Sequence, residues 1–260
     1  MSAGEPATLR RLRRAVAEIE GSDLSALEIG GRLLPLGAAP IDAALGGGLA
    51  LGSLHELAPA GPLNLGAAAG FALTLAARAG ERRHSLWIQP DFAGQDAGSL
   101  YGPGLTALGL PMERLLLLRV ARPTEVLWAM EEALKSRVLA TVIAELTDKG
   151  TAADLTATRR LALAARDGGS LGFLLRHRIS PEPSAAATRW NIAASPSIAD
   201  AFGGLGRAAF TLSLVKNRRG PLGCWTIAWD HHERAFSPLS LALAETASDR
   251  PARAPLVRAG

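Results

Sequence analysis

A glycine-rich turn, Ala58-Pro59-Ala60-Gly61-Pro62-Leu63-Asn64-Leu65-Gly66 running on to Gly70, joins a strand-like run to a helix-like run. Junctions of that kind hold phosphate when backbone N–H groups cradle its oxygens, a lysine reaches the β and γ oxygens, and a Ser or Thr hydroxyl binds Mg²⁺. Here the glycines Gly61, Gly66 and Gly70 are present, but the stretch has no lysine, serine or threonine, and the first lysine anywhere in the chain is Lys135. The turn therefore predicts the frame of a nucleotide site without its chemistry: no catalytic residue and no cofactor.

The other chemistry-bearing residues are weighed against structural roles. Asp91, just after a strand-like run, stands where a carboxylate can activate water, and Glu145 ends another run where a magnesium-linked acid can sit. Without the lysine both read as solvated or hydrogen-bonded strand-end residues. His231-His232-Glu233 lacks a third ligand at metal spacing, and no CxxC, HExxH or GxSxG segment occurs, so neither a metal centre nor a serine nucleophile is expected. The histidines read as surface residues and the five tryptophans as mostly core, Trp87 from its apolar run and Trp128 from its helix with Leu127 and Met130. Lys216-Asn217-Arg218-Arg219-Gly220, between two strand-like runs, is the polar patch best suited to a functional contact.

Two hundred and sixty residues, 48% hydrophobic and 20% charged, suffice for a sizeable α/β core. The net charge of +4 comes from dispersed arginine pairs, which permits contact with nucleic acid or an acidic partner without specifying either. One cysteine, Cys224, no secretory leader pattern and no run of about 20 apolar residues point to a soluble cytoplasmic protein.

Leu9, Leu12, Val16 and Ile19 lie three and four apart, an apolar stripe that predicts a helix over 6–20 within an N-terminal segment 1–30 that contacts a partner or a second copy. Gly46-Gly47-Gly48 marks a reversal. Short apolar runs at 53–57, 85–89, 115–120, 141–146 and 171–175 alternate with helical segments near 66–79, 97–108, 123–135 and 154–166. That alternation predicts right-handed crossovers and a mainly parallel sheet flanked by helices. Pro123 suits a first turn, Asp154 an N-cap and Gly168-Gly169 a helix end. Runs at 189–194, 209–216 and 225–230 follow without helices between them and predict an antiparallel extension. The core spans 31–236, and 237–260 reads as a weakly ordered tail.

Several phrases carry a family resemblance. GAAPIDAALGGGLALGSLHEL (Gly37 to Leu57), LTLAARA, TVIAEL and LVKNRRG resemble segments of RecA recombinases. GFALTLAARA, SLYGPGLTALGL, RPTEVLWAMEEAL, DLTATRRLALAA and PSAAATRW, in this order, resemble the ImuA family, RecA-like proteins of bacterial inducible mutagenesis. The resemblance implies a RecA-like core with a degenerate P-loop and a part in translesion synthesis within the SOS response to DNA damage. It implies as partners an ImuB-like Y-family polymerase relative and an error-prone DNA polymerase III α-type subunit, with self-association through the N-terminal helix. It also places any DNA contact on Lys216, Arg218 and Arg219, joined by Arg176 and Arg178 from a shortened loop. A cell-division inhibitor of the SulA type, acting by protein binding, is the alternative.

Overall fold

The computed structural model describes residues 33–80, 83–96, 98–147, 153–197, 204 and 206–239. The expected helix with Leu9, Leu12, Val16 and Ile19 lies outside them, as does the tail beyond 239. A small antiparallel sheet, β1 (Leu33–Leu34) with β2 (Leu49–Ala50), brackets α1 (Ala39–Ala44). Gly46, Gly47 and Gly48 all have positive φ, and a Cβ on Gly48 would stand 2.4 Å from the Leu34 carbonyl oxygen, so the reversal requires glycine.

The main body is one nine-stranded sheet. β3 (Leu54–Pro59) leads through a 3-10 turn at Pro62–Asn64 into α2 (Leu65–Ala79), and β4 (His84–Pro90) follows. Next come α3 (Ala93–Asp96), α4 (Gly102–Ala107), β5 (Leu115–Val120), α5 (Pro123–Leu134), β6 (Leu139–Leu146), α6 (Leu155–Gly168) and β7 (Leu171–Arg176). β8 (Thr188–Ala194), β9 (Ala209–Asn217), β10 (Gly223–Asp230) and β11 (Ala235–Pro238) complete it. The order is β11-β10-β9-β8-β3-β7-β6-β4-β5, parallel from β8 to β5 and antiparallel from β8 to β11. β11 crosses the expected core boundary at 236, pairing Ser237 with Ala228 and Pro238 with Ile227.

Two cores result, one on each face of the sheet. Phe71 and Leu75 of α2 pack with Trp87, Phe173, Trp190, Trp229 and Phe236. Val126 and Met130 of α5 and Leu161 of α6 pack with Ile88, Val142 and Leu174 on the other face. Asp154 caps α6 by accepting from the Ala157 N–H at 2.7 Å, and Gly169 ends it at φ 74°. Among the described residues no helix is long and apolar enough to cross a membrane.

Three expectations change. The helix foreseen over 97–108 is confined to Gly102–Ala107, because Gly98 has φ 86° and Tyr101 is extended ahead of Pro103. Trp128 is 65% exposed, because the buried stripe of α5 runs through Val126, Ala129, Met130 and Leu134. His55 is wholly buried rather than at the surface, because its position on β3 faces the α2 core beside Phe173.

Candidate functional site

The glycine-rich turn sits at the carboxyl end of β3, inside the sheet between β7 and β8, where open parallel sheets hold ligands. Its backbone lacks the left-handed residues of a phosphate nest. Such nests alternate right- and left-handed residues so that successive N–H groups converge. Among the described residues none between Gly52 and Gly98 has positive φ, Gly61 is extended at φ −168°, and a Cβ on Gly66 would meet nothing within 4 Å. Asn64, at the position before α2, uses its side-chain oxygen to accept from the Ala194 N–H of β8 at 2.9 Å, which fixes the turn against the sheet. Leu63 at the tip is almost fully exposed.

Beside the turn lies a cavity of about 260 Å³. Leu65, Gly66, Ala69, Gly70 and Leu73 of α2 form one wall, Leu100, Tyr101, Leu105 and Leu108 another, and Trp87, Gln89, Glu145 and Leu175 of the sheet the floor. Glu145 is 3% exposed. Its Oε2 accepts from the Gln89 amide at 2.9 Å and its Oε1 lies 2.6 Å from His177 Nε2. Gln89, the neighbour of Glu145 across the β4–β6 register, had no signal in the sequence beyond its place in an apolar run. Asp91 is exposed just past β4, with its backbone N–H on the Val120 carbonyl. The two acids thus stand in different settings, one buried and hydrogen-bonded, the other solvated.

A second buried acid lies on the opposite face. Glu56, 1% exposed, accepts from Ser184 Oγ at 2.6 Å, Arg176 Nη2 at 3.1 Å and Arg189 Nε at 2.8 Å. Burial alone would raise its pKa, but the Arg176 charge, the Ser184 hydroxyl and the Arg189 charge together hold it below the usual carboxylate range. Arg189 also donates to the carbonyls of Ser180 and Glu182, so the cluster clamps the loop after β7 to the sheet.

That cluster also engages some of the basic candidates. Arg176 is turned inward onto Glu56 and the Ala153 carbonyl rather than outward to a phosphate. Lys216 donates from Nζ to the Ser184 carbonyl, and burial, then Arg218 and Arg189, lowers its pKa. Arg219 is half-buried, directed at the Gly46 carbonyl at 3.5 Å, and Asn217 ties the β9–β10 turn to the carbonyls of Ala44 and Pro221. Arg218 and Arg178 are exposed. The geometry therefore leaves Arg218 as the outward charge of the hairpin. His231, His232 and Glu233 form the β10–β11 turn, where Asp230 accepts the N–H groups of His232 and Glu233, and no metal-holding cluster occurs among the described residues.

At the far edge of the sheet β5 exposes Leu116, Leu117 and Leu118, on both faces of the strand, and its outer backbone groups face no further strand among the described residues. Edges of this kind are templates for protein contact.

No family model matches the chain. Two curated relatives do, each described as Protein ImuA and each from a strain of Caulobacter vibrioides. Both are 34% identical to this chain over 197 residues, 70% of this chain and 77% of the relative.

Proposed function

This chain belongs to the ImuA family, and from that premise we propose that it is a non-catalytic accessory protein of bacterial SOS mutagenesis, acting in the cytoplasm in translesion synthesis after DNA damage. Its core is read as RecA-like, supported by the mainly parallel sheet with β3 and its loop inside it and by the antiparallel extension beyond β8. The observation that carries the absence of catalysis is the loop itself, which lacks lysine and hydroxyl and has no left-handed residue to form a cradle.

Its work is protein binding. The partners are an ImuB-like Y-family polymerase relative and an error-prone polymerase III α-type subunit, with self-association through the stripe Leu9, Leu12, Val16 and Ile19. The apolar edge β5 supports this reading because it offers a further surface for a protein strand. The test combines capture and turnover. Purified chain is expected to retain the ImuB-like protein in a pull-down and to release no phosphate from ATP above a protein-free blank, with or without single-stranded DNA. DNA-stimulated turnover that co-purifies with the chain would overturn the non-catalytic reading, and failure to retain the partner would overturn the adaptor reading.

Any DNA contact is electrostatic and centred on Arg218. Removing a side chain that neutralises one phosphate lowers the slope of log affinity against log salt by about one. Arg218→Ala is expected to produce that change in single-stranded DNA titrations, and Lys216→Ala to leave the slope unaltered because its ammonium already serves Ser184. Identical slopes for wild type and Arg218→Ala would remove the hairpin from DNA binding.

A further inference from the structure

The two buried glutamates of the sheet differ in one respect. Glu56 has two guanidinium groups and a hydroxyl. Glu145, equally buried, has an amide from Gln89 and the ring nitrogen of His177, which is a cation only when protonated, and among the described residues no lysine or arginine lines the cavity it faces. A carboxylate offers about four acceptor positions, of which two are used here. A buried carboxylate without a permanent cation is costly, and the cost falls when one arrives. We propose that the cavity between α2 and the 98–108 segment is the seat of one arginine side chain presented by a partner protein, its guanidinium on Glu145 and its stem along the leucine walls.

Four further observations fit this occupant. The volume of about 260 Å³ lies below the roughly 300–1,000 Å³ of small-molecule sites but admits a single long side chain. Tyr101 in the wall is an exposed aromatic ring, a kind on which guanidinium stacks. An anion is disfavoured, because among the described lining residues Glu145 is an acid and no basic side chain stands with it. Leu63, in the adjoining turn, and Tyr101 are strongly exposed, which suits contact with the surface that carries the arginine rather than with a free small molecule. The inference rests on the adaptor reading and adds to it a place and a chemistry of contact.

The test uses the full chain and n-butylguanidinium as probe, followed by amide and indole NMR shifts of Trp87 and residues 98–105. Saturable shifts are expected, with the neutral isostere n-butylurea at least about tenfold weaker, the ratio for loss of one charge-assisted hydrogen bond. Glu145→Gln, which keeps the shape, is expected to abolish the preference for the cation. Gly66→Phe, at a position where a Cβ meets nothing, is expected to block both probes. Equal response to the two probes, or an unchanged preference in folded Glu145→Gln, overturns the proposal. Equal capture of the ImuB-like protein by wild type and both variants also overturns it while leaving the adaptor reading intact. If the wild type captures no partner, the adaptor reading fails instead, and the proposal of a partner arginine fails with it; the probe titration then reports only whether the cavity takes a guanidinium.

Discussion

Replacing Glu56 with alanine is expected to destabilise the protein by about 3–5 kcal/mol, the usual cost of removing one member of a buried ion-pair cluster. The loss exceeds that of a single hydrogen bond because Arg176 and Arg189, both largely buried, would keep their charges without a counter-charge. It would also release the clamp on the loop after β7, which Arg189 holds through Ser180 and Glu182. Urea unfolding at neutral pH measures it as a lower midpoint at unchanged slope. Glu56→Gln, which retains an acceptor for Ser184, should fall between wild type and alanine. A midpoint for Glu56→Ala within error of wild type would mean that water reaches the two guanidinium groups. The pH dependence has a definite sign. The folded pKa of Glu56 is depressed, so its contribution is complete above the ordinary carboxylate value and is lost as pH falls through the lower folded value.

The contrast between this cluster and the elements around it indicates what the sequence can and cannot specify. Continuous apolar runs identify β3, β4, β6 and β7, since strands buried on both faces need no alternation, and local signals at Pro123, Asp154 and Gly169 place the helix ends. Those signals act within a few residues. Glu56 meets Arg176 and Arg189 across 120 and 133 residues, and only the order β7-β3-β8 makes them neighbours. The same holds for Glu145 with Gln89, 56 residues apart, and for the cavity above them. Trp128 is different, because its exposure was legible. The stripe Val126, Ala129, Met130, Leu134 follows helical spacing, and position 128 falls off it. The loop was legible in its composition, which excludes lysine and hydroxyl, but its lack of left-handed residues is a property of the backbone alone. Arg176 and Lys216 read as outward charges because a sequence records basic residues without recording which acid or carbonyl lies beneath them.

His55 is expected to make the protein lose stability on mild acidification, by about 3 kcal/mol in all. Its environment specifies a neutral ring. Nε2 lies 3.1 Å from the Ala50 carbonyl, which can only accept, so Nε2 carries the proton and Nδ1 is left as an acceptor for the Thr188 hydroxyl at 2.8 Å. Thr188 Oγ1 in turn accepts from Trp190 Nε1 at 2.7 Å on one lone pair, and its own hydrogen serves the Nδ1 of the neutral ring. A second proton on the ring would displace that donation and force the hydroxyl to turn its hydrogen away in a site closed to water. Burial accordingly lowers the His55 pKa to about 4, with the Ala50 hydrogen bond opposing that shift. The unfolded chain takes up the proton near the ordinary value of 6.5 while the folded protein declines it, so stability falls from about pH 6.5 down to about pH 4 and levels off below. This window lies above the one in which Glu56 titrates, and the two are separable in a series of urea melts at stepped pH. In His55→Gln, which cannot protonate, the decline between 6.5 and 4 should disappear even though the variant starts from a lower stability. A wild-type midpoint that stays flat across that interval would show that the ring takes up its proton as readily in the folded protein as in the unfolded chain and that the Thr188 hydroxyl turns to accept it.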